Sequence, residues 1–175
     1  LAPPAPGALT KEKAMEAGPL DPETGQGPSF DSQVHALQLA EVEVNTDSGH
    51  VRVIKMTTAC DAGVLIHPQN VEGQLHGGMD MGAGFALREQ YVAGQTKDWV
   101  TFPYPSMKTA FDMETVLVQT PRKRGTNGAV GVGEMTMVPT TPAVINAIHN
   151  ACGIWVTELP AVPEKIKAAL SARES

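Results

Sequence analysis

The run Gly125-Thr126-Asn127-Gly128-Ala129-Val130-Gly131-Val132-Gly133-Glu134 holds four glycines in ten residues and ends on a carboxylate. Without a Cβ, such a main chain lets a ligand sit against the backbone, at an entropic cost that ordinary loops avoid. Glu134 is the only ionisable side chain between Arg124 and His149, and its neighbours are apolar or small. A carboxylate in that setting is expected to be partly desolvated and suited to general-base work near neutral pH. The alternative is a glycine-rich connection whose Glu134 points to water. The run is not a phosphate loop: no Gly-Lys-Ser/Thr follows, and Thr136 stands where a dinucleotide loop would need its third glycine.

A second glycine-rich stretch carries the other candidate side chain. The segment Val71 to Val92 reads as a helix, with Asn70 as its N-cap, and a capping box is absent because Gly73 stands where Glu or Gln would be needed. It contains Gly73, Gly77, Gly78, Gly82 and Gly84. Each glycine disfavours a helix by about 1 kcal/mol relative to alanine, so close packing must offset them. Gly73, Gly77 and Gly84 fall at helical spacing, as do Gly78 and Gly82, and either another helix or a cofactor could approach there. Gln74 lies in the first turn, where free N–H groups and the helix dipole favour an anion. Its amide both donates and accepts, which suits the mixed polar edge of a ligand or a pyrophosphate oxygen. A packing or surface glutamine is the alternative. His76 reads as an ordinary helix histidine, and the five histidines and two cysteines show no zinc-ligand spacing. Cys60 and Cys152 are too few and too far apart for an iron–sulfur cluster and read as buried, reduced thiols, though a disulfide stays open.

The elements that must position these residues follow from pattern. The 175 residues suit one domain or one compact part of a larger one, with a core that is aliphatic and methionine-rich because aromatics make up only 5%. Residues 1–33 are proline-rich and read as an extended arm or linker, with a helical turn or two over Lys11 to Ala17; the domain occupies 34–175. Leu37 to Val44 and Val51 to Met56 form a hairpin around Asp47-Ser48-Gly49-His50. Asp112 to Thr120 is a further strand, preceded by a turn at Thr96 to Trp99 and by the breakers Pro103 and Pro105. Pro121-Arg122-Lys123-Arg124 reads as a solvated basic cluster, with phosphate contact as the alternative. Thr141 as N-cap and Pro142 as the first helical residue start a helix to Ala151 that Gly153 ends. Ile154 to Thr157 reads as a strand and Glu164 to Ala172 as the last helix, giving an α+β domain. A net charge of −6 without a basic stripe argues against nucleic acid, and no apolar run is long enough to span a membrane. No signal peptide is visible at Leu1, so a cytoplasmic location is expected.

Gly131-Val132-Gly133-Glu134, Pro139 and Pro142 to Ile148 resemble the end of the large subunit in the xanthine dehydrogenase and aldehyde oxidase family of molybdenum hydroxylases. A separate resemblance runs through Asp61-Ala62-Gly63, His67-Pro68 and Glu72-Gly73-Gln74, and with Glu158-Leu159-Pro160 and Pro163-Glu164-Lys165 the similarity spans roughly Phe30 to Leu170. It is nearest in wording to bacterial aldehyde oxidoreductases. The resemblance implies a molybdopterin-binding portion that works only with the rest of a large subunit and an iron–sulfur domain or subunit. It implies that Gln74 and Asn70 contact the pterin, which carries the molybdenum without a protein ligand and can extend into a cytosine dinucleotide form. It further implies that Gly131, Val132 and Gly133 lie against the metal, and that Glu134 takes a proton from a water-derived hydroxyl as an aldehyde is oxidised to an acid. Electrons would leave to [2Fe-2S] clusters on other segments or subunits. The sequence departs from the family pattern at His67, where many relatives have Asn, and at Met135-Thr136-Met137, which tilts the reading toward aldehydes over purines. A purine-like N-heteroaromatic hydroxylase and a non-catalytic partner domain are the alternatives.

Overall fold

The computed structural model describes residues 20–27, 33–122 and 127–174 of the chain. The helical turns expected within Lys11 to Ala17 fall outside them, as do Lys123, Arg124, Gly125 and Thr126. The described elements run β1 (His35–Val44), β2 (Val51–Asp61), α1 (Pro68–Leu87), a single 3-10 turn (Met107–Thr109), β3 (Asp112–Val118), α2 (Met137–Cys152) and α3 (Pro163–Glu174). This is the α+β arrangement expected.

The three strands form one sheet in the order β1-β2-β3. β1 and β2 are antiparallel with a bulge between Glu41 and Val42, whereas β2 and β3 run parallel. Parallel pairing needs a long crossover, and here α1 with the irregular residues 88–111 supplies it. The hairpin turn is wider than the sequence suggested. Asn45 Oδ1 accepts N–H bonds from Asp47 and Ser48 at 3.1 and 2.8 Å, and Gly49 closes the turn at φ 76° under the first turn of α3.

Both long helices lie on one face of the sheet. On α1 the buried residues Leu75, Gly78, Met79, Gly82, Ala83 and Ala86 recur three or four apart, so a single stripe faces inward. That stripe meets α2, which in turn covers β1. Met56, Met79, Val144, Ile148 and Ile166 form the fully buried centre, which is aliphatic and methionine-containing as composition implied. The opposite sheet face leaves Leu37 and Leu39 61% and 62% exposed.

Several boundaries differ from expectation, each for a local reason. α1 begins at Pro68 and is capped by His67, whose Nδ1 accepts the Asn70 N–H at 3.1 Å. Asn70 is therefore inside the first turn and is not the cap; proline at the first helical position fixes the start three residues earlier. The helix stops at Leu87 instead of Val92, where Arg88 and Glu89 both give their N–H groups to Gly84 O. α2 begins at Met137, so Pro142 lies inside the helix and Thr141 is not its cap; Thr141 Oγ1 instead bonds Gly82 O at 3.1 Å, tying the two helices together. Ile154 to Thr157 is not a strand. Ile154 O lies 3.1 Å from His149 Nδ1 and Trp155 stacks on the His149 ring at 3.9 Å, which folds the segment back over the end of α2. Gly153 does terminate α2 in the left-handed region, at φ 71°.

The glycines of α1 separate into two groups. An added Cβ at Gly78 would meet Thr136 Cβ at 2.7 Å, one at Gly82 would overlap Thr140, and one at Gly84 would overlap Glu89 and Pro105. Gly73 and Gly77 face open space. Gly84 thus belongs with the packing glycines, not with Gly73 and Gly77. Replacement of Gly82 by alanine is predicted to destabilise the protein by about 1–3 kcal/mol through overpacking. Gly77→Ala should leave stability unchanged or raise it by up to about 1 kcal/mol through helix propensity. Thermal unfolding of the two variants checks the pair.

Candidate functional site

The two stretches singled out in the sequence meet at one end of the helical layer. β2 ends at Asp61, and the chain turns through Gly63 at φ 65° into the start of α1. The returning loop docks on that turn. Gly63 and Ala129 form an isolated antiparallel bridge, Val64 N–H bonds Gly128 O at 3.0 Å, and Val130 N–H bonds Ala62 O at 3.3 Å. Asn127 and Gly128 both take positive φ, 54° and 79°, to reverse the chain into this docking. A Cβ on Gly63 would overlap Gly128 O, so the close approach requires glycine there.

Asp61 ties the segments together. Its Oδ1 accepts N–H bonds from Gly63 at 3.2 Å and Thr120 at 3.1 Å, and its Oδ2 lies 3.1 Å from Arg122 Nη2. Desolvation pushes the carboxyl up, but the Thr120 and Gly63 bonds and the Arg122 guanidinium together outweigh it and hold it down to about 2, against an ordinary 3.8. Arg122 is therefore a largely buried structural partner and not part of a solvated basic face.

Val132 and Met135 turn inward onto a small apolar cluster built on Cys60, Ala62 and Leu75. Gly131, Gly133 and Glu134 are left exposed. Gln74 lies on the adjoining turn of α1, and its Oε1 is 3.9 Å from where a Gly133 Cβ would sit; a Cβ on Gly131 would meet nothing within 4 Å. Asn70 and Gln74, with His67, Ala129, Val130 and Val132, line an open recess of about 210 Å³. The structure thus brings Asn70, Gln74, Gly131, Val132 and Gly133 to one place, with Glu134 directly following. Among the described residues Glu134 is left exposed, contrary to the expectation from its apolar sequence neighbours; of these Val132 and Met135 face the core, while Gly133, Met137 and Val138 are exposed like the carboxylate.

This arrangement suits a group brought from outside the fold. Among the described residues, nothing in the packing calls for glycine at 73, 77, 131 or 133. These open positions flank an amide that can both donate and accept, and a flat polar heterocycle fits such a cradle. Two larger recesses, of about 420 and 430 Å³, lie around Arg88 at the far end of α1 and include neither Gln74 nor Glu134. The first of them includes Asp80, which burial pushes above its ordinary range; burial does the same to the neighbouring Glu89. Cys60 and Cys152 are free thiols. Among the described residues no group of histidine, cysteine and carboxylate side chains could hold a metal, and no helix is long and apolar enough to cross a membrane.

Sequence reasoning missed the residues that hold the loop in place. Gln38 Nε2 bonds Thr136 O at 3.0 Å, and Cys60 Sγ donates to Met135 Sδ at 3.7 Å. Neither contact leaves a local signal, since its partners are 98 and 75 positions apart.

Residues 5–109 match the family model of a molybdopterin cofactor-binding domain. The chain is 36% identical over 161 residues to the aldehyde oxidoreductase of Megalodesulfovibrio gigas, covering 91% of this chain and 18% of that protein. It is 30% identical to a probable xanthine dehydrogenase subunit of Bacillus subtilis, covering 95% of this chain and 23% of that one. The solved aldehyde oxidoreductase from Desulfovibrio gigas superposes with a TM-score of 0.85 at 35% identity, over 89% of this chain and 17% of that structure. The chain therefore spans about a fifth of the length of these relatives.

A carboxyl held at about 2 against an ordinary 3.8 stabilises the fold above the higher value, and that contribution is lost as pH falls from 3.8 through about 2. Asp61→Asn should unfold more readily than the parent at pH 6, and the gap should narrow as pH falls through that window. Unfolding curves of both proteins across the acid range check it.

Proposed function

Since this chain belongs to the molybdopterin cofactor-binding domain family of molybdenum hydroxylases, we propose that it supplies the general base and part of the pterin site of an aldehyde-oxidising enzyme. The observation that carries this reading is the joint placement of Gln74 and Glu134 around glycines whose open faces the chain does not itself use. Gln74 and Asn70 would hold the pterin by side-chain hydrogen bonds, with the main chain of Gly131 to Gly133 lying against the metal-bearing part. Val132 contributes through its backbone, because its side chain is committed to the cluster with Leu75.

The bound group supplies two-electron oxidation, with water as the source of the added oxygen. The protein's part is positioning and proton transfer. Glu134 takes up, at its carboxylate, the proton that the attacking oxygen must lose. His67 fixes the start of α1: its Nδ1 accepts the Asn70 N–H, a capping role that an Asn oxygen can also fill.

The rest of the enzyme would close the site and carry the electrons away. We assign the remaining large subunit, an iron–sulfur domain or subunit with [2Fe-2S] clusters, and a cytosine dinucleotide extension of the pterin to that assembly. An aldehyde is favoured as substrate by the similarity to aldehyde oxidoreductases. The likeness to a probable xanthine dehydrogenase subunit supports a second reading, hydroxylation of an N-heteroaromatic ring.

In the assembled enzyme, Glu134→Gln should lower kcat by about 10²–10⁴-fold, the range for loss of a general base, while molybdenum content is retained. Gln74→Ala should instead lower molybdenum and pterin content, read by metal analysis of the purified enzyme. Activity of the Glu134→Gln enzyme close to that of the parent would overturn the assignment.

A further inference from the structure

We infer that Gln38, on the edge strand β1, is the positioning residue for Glu134. The inference rests on the reading of Glu134 as the base. Gln38 Nε2 donates to Thr136 O at 3.0 Å and to Thr58 Oγ1 at 2.9 Å. Thr136 is fully buried, follows Glu134 by two residues and stands at the N-cap position of α2 without a side-chain cap bond. Its carbonyl also accepts Thr140 Oγ1 at 2.8 Å. The turn from Glu134 to Met137 is closed by Met137 N–H on Glu134 O at 3.2 Å. The backbone that presents the exposed carboxylate is thus held from the sheet.

The chemistry of the contact fixes the amide's orientation. Thr136 O can only accept, so the group facing it must be the NH₂ and not the carbonyl of Gln38. That choice leaves Gln38 Oε1 buried with no hydrogen-bond partner among the described residues. An unsatisfied buried acceptor is unfavourable, and the structure tolerates it here in return for two directed bonds, one of which reaches the Glu134 turn. An apolar residue would fill the same space without orphaning an oxygen. Gly78 completes the arrangement from the other side, since only a residue without Cβ lets α1 press against Thr136.

Loss of the Gln38 bond frees the Thr136 carbonyl on the sheet side and lets the Glu134 turn shift. A displacement of about 1 Å at a reacting group can slow chemistry by about a hundredfold. The test is Gln38→Leu, close in size and without a donor, in the full-length enzyme with its partner subunits. Kinetics with an aldehyde, molybdenum content and backbone hydrogen exchange over residues 133–140 are measured together. The expected result is a kcat lower by about tenfold to a hundredfold, KM within about threefold, unchanged molybdenum and faster exchange over 133–140. A kcat within about threefold of the parent, or a fall in kcat that tracks lost molybdenum, overturns the inference. If Gln38→Leu yields no assembled enzyme, Gln38→Asn, which keeps the donor on a shorter reach, is judged by the same criteria.

Glu134→Gln is assayed in parallel. If Glu134→Gln is inactive and Gln38→Leu is not impaired, this inference alone fails. If Glu134→Gln is active, the base reading fails and the positioning role falls with it, while the exchange data still report whether Gln38 holds the turn.

Discussion

The close approach of α1 and α2 is the contact on which the site depends. Gly78 and Gly82 let Thr136 and Thr140 press directly on the α1 backbone, and Thr141 Oγ1 bonds Gly82 O across the same seam. Two helices separated by ordinary side chains would stand further apart. Gln74 lies one turn before Gly78 on α1, and Glu134 lies just before Thr136 at the head of α2. Helix contact and site geometry are therefore one feature. The sheet supports the seam from below through Gln38 and Cys60, and the Asp61 carboxylate secures the loop's entry.

Against those packing glycines stand four others that touch almost nothing. Gly73, Gly77, Gly131 and Gly133 weaken local structure and are not required by contacts among the described residues. They cluster around Gln74 and lead to Glu134, on the face where Met81 and Phe85 are also left exposed. In the proposed assembly this open face is where the remainder of the large subunit closes the site.

Much of this was legible in the sequence. The two glycine-rich stretches, the hairpin and the α+β class all follow from composition, turn chemistry and the family resemblance. The errors have physical causes. Asn70 and Thr141 are good caps by residue type, but the prolines near them were decisive at Pro68 and misleading at Pro142. Ile154 to Thr157 has strand propensity, yet stacking of Trp155 on His149 governs it. Arg122 was read by charge alone, and the half-buried Asp61 that takes it is 61 positions away. Glu134 has apolar neighbours in sequence, but only Val132 and Met135 turn inward, and the carboxylate is exposed. Spacing cannot show Gln38 or Cys60, because only the folded sheet brings them to the loop.

The central claim is that the open glycine face beside Gln74 and Glu134 receives the molybdenum-bearing group. Anomalous diffraction at the molybdenum edge, from crystals of the full-length enzyme, locates the metal directly. The account predicts a single peak over the main chain of Gly131 to Gly133, with the Glu134 carboxylate facing it and Gln74 on the side of the pterin. A peak at the recesses around Arg88, or anywhere remote from Glu134, would contradict it.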